Sequence, residues 1–159
     1  MSEEREMLRA TVAALVEKHA GPEAVRAALE SEKGYDENLW QLLCEQVGAA
    51  ALVVPEELGG AGGELGDAAV VLEELAKNLV PTPLLGTTLA ELALLAVGEE
   101  EPLEGLAEGT SIGTVVFDAG YVINGAIADV VIGAQDGQLS RWTDNTVAPA
   151  TAMDPTRPL

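Results

Sequence analysis

The hydrophobic period of this chain changes near Gly109, and that change limits the folds open to it. Before Gly109, apolar residues recur three and four positions apart, as on one face of an α-helix. After it, short β-branched runs alternate with turn residues, which is typical of strands. The sequence therefore predicts an α+β fold, with an all-α N-terminal helical bundle over residues 1–108 and a partial β-barrel segment over residues 109–159.

Five helices are predicted in the first part from capping residues and helix breakers. Ser2, Asp36 and Asp67 are the expected N-caps of the first, third and fourth helices, and Gly48 is expected to end the third. The predicted helices are, in order, residues 3–20, 22–29, 37–47, 68–79 and 87–97, with one more helical turn in the acidic loop that follows. The apolar residues of the fourth helix are expected to face inward: Ala68, Val71, Leu72, Leu75, Ala76 and Leu79.

The second part contains four short segments with strand character. Asp136-Gly137 is a two-residue hairpin signal between two of them. The predicted strands are residues 110–117, 128–134, 139–144 and 146–151.

The formal net charge of −19 excludes two classes of partner. Nucleic acids and acidic membrane surfaces are bound by basic side chains, and residues 78–140 contain no Lys or Arg. The charge is explained by solubility, and an acidic docking face for a basic partner is the alternative.

The start of the chain and its cysteine content indicate a reducing compartment. The first ten residues, MSEEREMLRA, lack the basic and then apolar grading of a signal peptide. No apolar run approaches the ~18 residues that suggest a membrane span. A single cysteine, Cys44, cannot form an internal disulfide. We expect a cytoplasmic protein with no membrane contact.

The residue types that usually carry catalysis do not form a recognisable constellation. His19 is expected at a helix end and Cys44 on an apolar helix face, so both are interpreted as structural. The adjacent pairs Glu56-Glu57 and Glu73-Glu74 do not share one helix face, as an acid–base pair would. With one His and one Cys, no metal site is expected. The sequence therefore predicts no catalytic and no metal-binding residues.

The glycines of GGAGG, residues 59–63, have two interpretations. A phosphate-binding loop would need the Lys-Ser/Thr of a P-loop or a G-x-G-x-x-G pattern between strand and helix, and neither is present. A tight turn in which two backbone segments approach closely is favoured.

Two stretches, taken together, resemble the acyl-CoA dehydrogenase family of flavoenzymes. The first is GYDENLWQLLCEQVGAAALVVPEELGGAGGELGDAAVVLEELAKNLVPTPLLGTTLA, residues 34–90. It is similar to the family's helical N-terminal domain in its Trp-bearing helix, its Pro-Glu link, its Gly-Gly turn and its Leu-Glu-Glu-Leu helix. The second is YVINGAIADVVIGA, residues 121–134, which resembles a strand motif of that family. The ending MDPTRPL and the segment VPTPLLG are most like the actinobacterial branch, which includes steroid side-chain enzymes.

The resemblance implies a flavin-dependent reaction on an acyl-CoA thioester. In that family a glutamate removes the α-proton and a hydride passes from the β-carbon to the flavin of FAD, which gives a trans-2-enoyl-CoA. It also implies that the fourth helix packs beside the acyl pocket. The glutamate belongs to a C-terminal helical domain that these 159 residues do not contain.

The resemblance assigns cofactor contacts to Tyr121 and Ile123. Tyr121 stands where the family often has Trp and is expected to pack on the flavin ring. Ile123 stands where a Thr or Ser hydroxyl usually meets the flavin, and isoleucine cannot donate a hydrogen bond. The alternative is that both residues belong to the core of the β segment.

The functional hypothesis is an acyl-CoA dehydrogenase-like flavoprotein chain that is inactive alone. It would bind FAD and an acyl-CoA thioester in a homo- or hetero-oligomer with another dehydrogenase chain. The alternative is a non-catalytic scaffold or interaction module derived from that family.

Overall fold

The computed structural model describes residues 2–154, in which helices precede a small sheet. The helices are α1 (Glu3–His19), α2 (Pro22–Glu30), α3 (Glu37–Leu42), α4 (Leu65–Lys77), α5 (Leu84–Val97) and α6 (Leu103–Ala107). The strands are β1 (Gly113–Val116), β2 (Val130–Gln135) and β3 (Gln138–Trp142). The predicted order, a helical part followed by a β part, is confirmed. Most of the MDPTRPL ending, residues 155–159, lies outside the described residues.

The helix ends follow local hydrogen bonds. The Ser2 hydroxyl accepts from the backbone N–H of Arg5, and the Asp36 carboxylate accepts from the N–H groups of the first turn of α3, so both predicted N-caps are confirmed. A π-helical turn, Leu43–Val47, extends α3 to Gly48, which has a left-handed φ of 67°. Gly48 therefore ends this helix as predicted.

Two predicted helix starts are wrong. α4 begins at Leu65 because Glu64 is its N-cap, and Asp67 lies one turn inside the helix, where its carboxylate accepts the Glu64 N–H at 2.7 Å. The Glu64 side chain in turn accepts from the Asp67 N–H, so this capping box satisfies two free N–H groups at once. α5 begins at Leu84, earlier than predicted, because Pro83 is tolerated at the N-cap, where a backbone N–H is not needed for the helix.

The Gly-rich loop is a tight turn, as favoured from the sequence. A Cβ on Gly60 would lie 1.9 Å from the carbonyl oxygen of Val54. The N–H groups of residues 60–63 donate to the carbonyl oxygens of Pro55, Ala51, Val54 and Leu52, in that order. These N–H groups are therefore already paired, which is incompatible with a phosphate cradle.

The sheet has the order β1-β2-β3, with β1 parallel to β2 and β2 antiparallel to β3. Asp136 and Gly137 both have positive φ, 54° and 77°, so the predicted hairpin turn is confirmed. The predicted strand over residues 146–151 is wrong, since that segment has no strand pairing. Pro149 has no N–H to donate, and Val147 is the one large apolar residue there.

Two hydrophobic clusters lie on either side of α5. One joins α1, α3 and α4, and the other joins α5, α6 and the sheet. Contact between α5 and β1 is close, because a Cβ on Gly113 would lie 2.6 Å from the Cβ of Ala90. The Gly113 N–H also donates to the Thr87 hydroxyl at 3.2 Å. β1 is thus held directly against the helical part.

Candidate functional site

One side of α4 is closed against α1. Ala68, Val71 and Leu75 are buried in the first hydrophobic cluster. Arg5 spans the two helices, with its Nε 2.7 Å from Asp67 and its Nη2 2.6 Å from Glu64. These contacts fix the position of α4.

The other side of α4 forms the wall of an open groove of about 400 Å³. Most of its lining is aliphatic and comes from α4, from the linker to α5 and from the first turn of α5. The lining residues are Ala69, Leu72, Glu73, Leu75, Ala76, Leu79, Val80, Thr82, Leu85, Ile123, Asn124 and Asp154. We call this feature the α4 groove.

The prediction that Ala76 and Leu79 face the core is wrong. Ala76 is exposed, and Leu79 is 62% exposed. Leu79 lies beyond the end of α4 at Lys77 and has a left-handed φ of 54°, so it no longer follows the helical face. This left-handed conformation ends α4: the Leu79 N–H donates to the Ala76 carbonyl oxygen at 3.0 Å and the Val80 N–H to that of Leu75 at 3.1 Å, a common arrangement at helix C-termini.

β1 holds Ile123 at the α4 groove. The side chain of Thr114 is buried in β1 and donates to the Ile123 carbonyl oxygen at 2.6 Å. Asp129, immediately before β2, accepts the Ile112 N–H at 2.8 Å, which closes the loop between β1 and β2. The half-buried Ile123 is thereby placed opposite the apolar wall of α4.

Tyr121 lies in an exposed turn and does not join Ile123 in the α4 groove. Its ring is 68% exposed, and its N–H donates to the Asp118 carbonyl oxygen at 3.0 Å. The alternative that Tyr121 belongs to the core is therefore wrong. The cofactor contacts of Tyr121 and Ile123 stay a prediction.

A second depression, of about 760 Å³, runs between α3 and the loops around β1. Carboxylates dominate its polar lining, and Lys33, its one basic side chain among the described residues, is paired with Glu37. An anionic ligand such as a CoA thioester is disfavoured there by charge repulsion. The α4 groove is the better candidate for an apolar acyl chain.

Glu91 is a buried acid that the sequence interpretation missed. It lies on α5, is 0% exposed, and neither carboxylate oxygen has a hydrogen-bond partner among the described residues. Burial raises the pKa of Glu91 to about 9, so it is protonated near pH 7. One glutamate within the otherwise apolar LAELALLAV run was the available signal.

The expected structural roles of Cys44 and His19 agree with their positions. Cys44 packs against the first hydrophobic cluster, and burial raises its pKa to about 12, which disfavours the nucleophilic thiolate. His19 lies in the last turn of α1. Within residues 2–154 no group of three His, Cys, Asp or Glu side chains is placed to hold a metal ion. No helix in this part of the chain is long and apolar enough to cross a bilayer.

Comparison with known sequences gives the family. Residues 2–106 match the acyl-CoA dehydrogenase N-terminal domain. Acyl-CoA dehydrogenase IpdE2 of Mycolicibacterium smegmatis is 73% identical over 159 residues, covering 100% of this chain and 51% of that protein. Acyl-CoA dehydrogenase IpdE2 of Mycobacterium tuberculosis is 65% identical, covering 99% of this chain and 50% of that protein. The chain spans about half the length of these curated relatives.

Solved structures share the fold. The Tcur3481–Tcur3483 steroid ACAD (a G363A variant) has a TM-score of 0.74 at 26% identity, covering 82% of this chain and 44% of that one. The ChsE4–ChsE5 complex of Mycobacterium tuberculosis has a TM-score of 0.76 at 22% identity, covering 96% and 50%. A Bacillus anthracis acyl-CoA dehydrogenase complexed with FAD has a TM-score of 0.75 at 18% identity, covering 99% and 34%. With the domain match and the two close relatives, they lead to one conclusion: the chain belongs to the acyl-CoA dehydrogenase family.

Proposed function

We propose that this chain takes part in the α,β-dehydrogenation of acyl-CoA thioesters, and that the α4 groove holds the acyl body. The observation that carries this proposal is the groove itself, an aliphatic trough of about 400 Å³ between α4 and Ile123. The names of the relatives support an acyl-CoA substrate, and the name of the steroid ACAD supports a steroid-derived acyl group.

Tyr121 and Ile123 fit contacts with the flavin ring of FAD. The rest of the FAD site would have to be formed by other residues. The exposed Tyr121 ring offers a stacking surface, and Ile123 offers an apolar contact without a hydroxyl. Bound FAD would supply the hydride acceptor. No Lys or Arg occurs in residues 78–140, so the pyrophosphate of FAD and the phosphates of CoA must be held largely by backbone N–H groups or by cations of another segment or chain.

Among the described residues that line the α4 groove, no carboxylate stands out as a general base: Glu73 is paired with Arg9 at 2.9 Å, and Asp154 also has a partner. We therefore propose that the 159 residues alone do not turn over acyl-CoA, and that an oligomer with another acyl-CoA dehydrogenase chain is the active form. The two complexes with related folds, each named for two components, support a hetero-oligomer.

The test is co-expression of this chain with neighbouring dehydrogenase subunits. We expect a purified assembly with the visible absorption of bound FAD and with dye-reducing activity on acyl-CoA or steroid-CoA thioesters. The isolated chain, with FAD added, should show none. Turnover by the isolated chain would contradict the need for a partner, and would require a base among Glu56, Glu57, Glu73 and Glu74.

A non-catalytic scaffold is the second candidate, favoured by one observation: Ile123 removes the hydroxyl that the family motif would place near the flavin. Absence of flavin in every pairing would support it. The variant Ile123→Thr sharpens the test, because a restored hydroxyl should strengthen flavin binding in an enzyme and change nothing in a scaffold.

Two further points complete the proposal. The boundary between the helical domain and the β domain lies between residues 108 and 109, which limited proteolysis tests. The protein is cytoplasmic, which cell fractionation tests.

A further inference from the structure

Glu91 is a fully buried carboxyl group on α5, the helix between the two hydrophobic clusters. It is 0% exposed, and neither of its carboxyl oxygens has a hydrogen-bond partner among the described residues. Polar groups buried in proteins are normally paired, and an ionised carboxylate without a partner is far costlier to bury than the neutral acid. The closed structure therefore keeps the proton on Glu91.

The elements packed against α5 bring no cation to Glu91 within the described part of the chain. β1, β2 and the turn of residues 49–51 contain no titratable side chain, and Glu91 is the one charged residue of α5 itself. Burial, and to a smaller extent the charge of Glu91, raises the pKa of Cys44 to about 12, so its thiol is neutral at pH 7. The charged side chains of the other neighbouring elements are ion-paired or exposed: Asp67, Glu73, Glu74 and Lys77 on α4, Glu45 on the π-helical turn, Glu104 on α6 and Arg141 on β3. An ionised Glu91 can therefore be stabilised only by water, which reaches it when α5 separates from its neighbours.

Glu91 adjoins the contact between α5 and β1. The preceding residue, Ala90, packs so closely on the strand that a Cβ on Gly113 would lie 2.6 Å from the Cβ of Ala90. One turn earlier, the Thr87 hydroxyl accepts the Gly113 N–H at 3.2 Å. We call this contact, made by Thr87 and Ala90 with Gly113, the α5–β1 seam. A movement of α5 that admits water to Glu91 also loosens the seam.

The α5–β1 seam is connected to the α4 groove. Thr114 follows Gly113 in β1, and its hydroxyl donates to the Ile123 carbonyl oxygen at 2.6 Å. Leu85, in the first turn of α5, lines the groove together with Ile123. The positions of these two lining residues therefore depend on how α5 and β1 are held together.

We propose that Glu91 makes the α5–β1 seam a pH-sensitive switch, which is closed while the carboxyl group is protonated and opens more readily as pH rises. In the open form water reaches Glu91, so its carboxyl group ionises with its ordinary pKa of 4.5. Above that pH the open form has lost a proton that the closed form retains. Each further pH unit, up to the pKa of about 9 that burial gives Glu91 in the closed form, favours the open form by up to about 10-fold.

The opening is local because the chain has two separate hydrophobic clusters. α1, α3 and α4 share one cluster, and α5, α6 and the sheet share the other. Parts of a protein that pack separately open at different free energies. α5, β1 and the segment up to Ile123 therefore open while α1 and α4 stay packed. This inference concerns the fold of the chain and does not depend on the proposed function of the α4 groove.

Hydrogen–deuterium exchange of the full chain, measured by mass spectrometry at pH 6, 7 and 8, tests the proposal. Three forms are compared: wild type, Glu91→Gln and Glu104→Gln. Glu91→Gln keeps the shape of the side chain and cannot ionise. Glu104→Gln removes an exposed acid from α6 and is the matched control. Opening equilibria are obtained from the exchange rates after correction for the intrinsic pH dependence of exchange.

In the wild type and in Glu104→Gln, we expect the amides of α5, β1 and residues 117–123 to open more readily than those of α1 and α4. Their opening equilibrium should rise by up to about 10-fold per pH unit. In Glu91→Gln the same amides should open to the same extent at all three pH values, because no proton is lost on opening.

Three results would overturn the proposal. An opening equilibrium of the α5 and β1 amides that stays constant with pH in the wild type would show that Glu91 is not ionised in the open form. A rise of equal size in Glu91→Gln would assign the pH dependence to another group. If the α5 and β1 amides are as protected as those of α1 and α4 and all change together with pH, the proton of Glu91 is linked to global unfolding alone. The first and third results need only the wild type, so the test does not depend on the folding of a variant.

Discussion

The two sides of α4 carry similar apolar residues, but one side is packed against α1 and the other is open. Toward α1, aliphatic side chains such as Val71 are sealed in the core, and Arg5 and Arg9 fasten the helices by ion pairs. Toward the α4 groove, Leu72 is half-buried and Leu79 is exposed, and Ile123 stands across an open space. The difference shows that one helix provides both a packed core face and the wall of an open groove. An apolar stripe in the sequence does not distinguish these two roles.

The largest effect is expected at the turn that sets the start of α4. In Gly60→Ala the new Cβ would meet the Val54 carbonyl oxygen at 1.9 Å, and backbone cannot yield as a side chain can. We expect a loss of about 4 kcal/mol or more in the free energy of unfolding, measured by urea titration. Gly21→Ala is the control, since a Cβ there meets nothing within 4 Å, and should cost less than about 1 kcal/mol. Equal losses of unfolding free energy in the two variants would contradict the close approach between Gly60 and the Val54 carbonyl oxygen.

The free energy of unfolding should depend on pH because of the buried carboxyl group of Glu91. Burial raises the pKa of Glu91 from 4.5 to about 9, so between these pH values the folded chain holds a proton that the unfolded chain has lost. The free energy of unfolding therefore falls as pH rises through this window, by up to ~1.4 kcal/mol per pH unit, or about 2.7 kcal/mol from pH 6 to pH 8.

Glu91→Gln removes this titration and keeps the shape of the side chain. We expect its stability to exceed that of the wild type by an amount that grows with pH across the window, as measured by denaturant titrations at several pH values. Parallel curves for the two proteins would show that Glu91 finds a partner or water when folded.

The two sides of α4 should respond differently to the loss of an apolar side chain. Val71→Ala, on the closed side, should cost about 2 kcal/mol because it leaves a cavity in the core. Leu79→Ala, at the groove, should change stability by less than about 0.5 kcal/mol and weaken thioester binding. Thermal unfolding and thioester titrations are measured for both. A large stability loss for Leu79→Ala would place this residue in the core.

The smallest effect is expected from the ion pairs between α1 and α4. Arg5→Gln should lower the melting temperature slightly, and the difference should shrink at high salt, because the pair of Arg5 with Glu64 and Asp67 is partly solvated. Arg26 is the matched control, since it is exposed and has no ion pair among the described residues. Arg26→Gln should leave the melting temperature unchanged at any salt concentration. A salt-independent effect at Arg5 would indicate packing by its aliphatic stem.

Local features of the fold were predictable from sequence because their causes are local. Ser2 and Asp36 cap helices through hydrogen bonds within one turn, and Asp136-Gly137 adopts the left-handed pair that a tight hairpin needs. The start of α4 was misplaced by three residues because both Glu64 and Asp67 satisfy the first turn, and the sequence does not say which lies outside it.

The site depends on contacts between distant segments, which explains what the sequence could not predict. The hydrogen bond from Thr114 helps to place Ile123 near α4, and whether Leu79 is core or groove depends on what stands across from it. The resemblance to acyl-CoA dehydrogenases singled out Ile123 as a site residue. Glu91 became notable only when its burial without a hydrogen-bond partner was seen.

Photo-crosslinking with an acyl-CoA thioester that carries a diazirine near the end of its acyl group tests the central claim most directly. The co-expressed assembly is irradiated, and the labelled peptides of this chain are identified by mass spectrometry. The account predicts labels within residues 69–85 and at Ile123 or Asn124, suppressed by excess unlabelled thioester and reduced in Leu79→Ala. Labels confined to α1, or to the acidic depression beside α3, would contradict the assignment of the open side of α4 as the acyl wall.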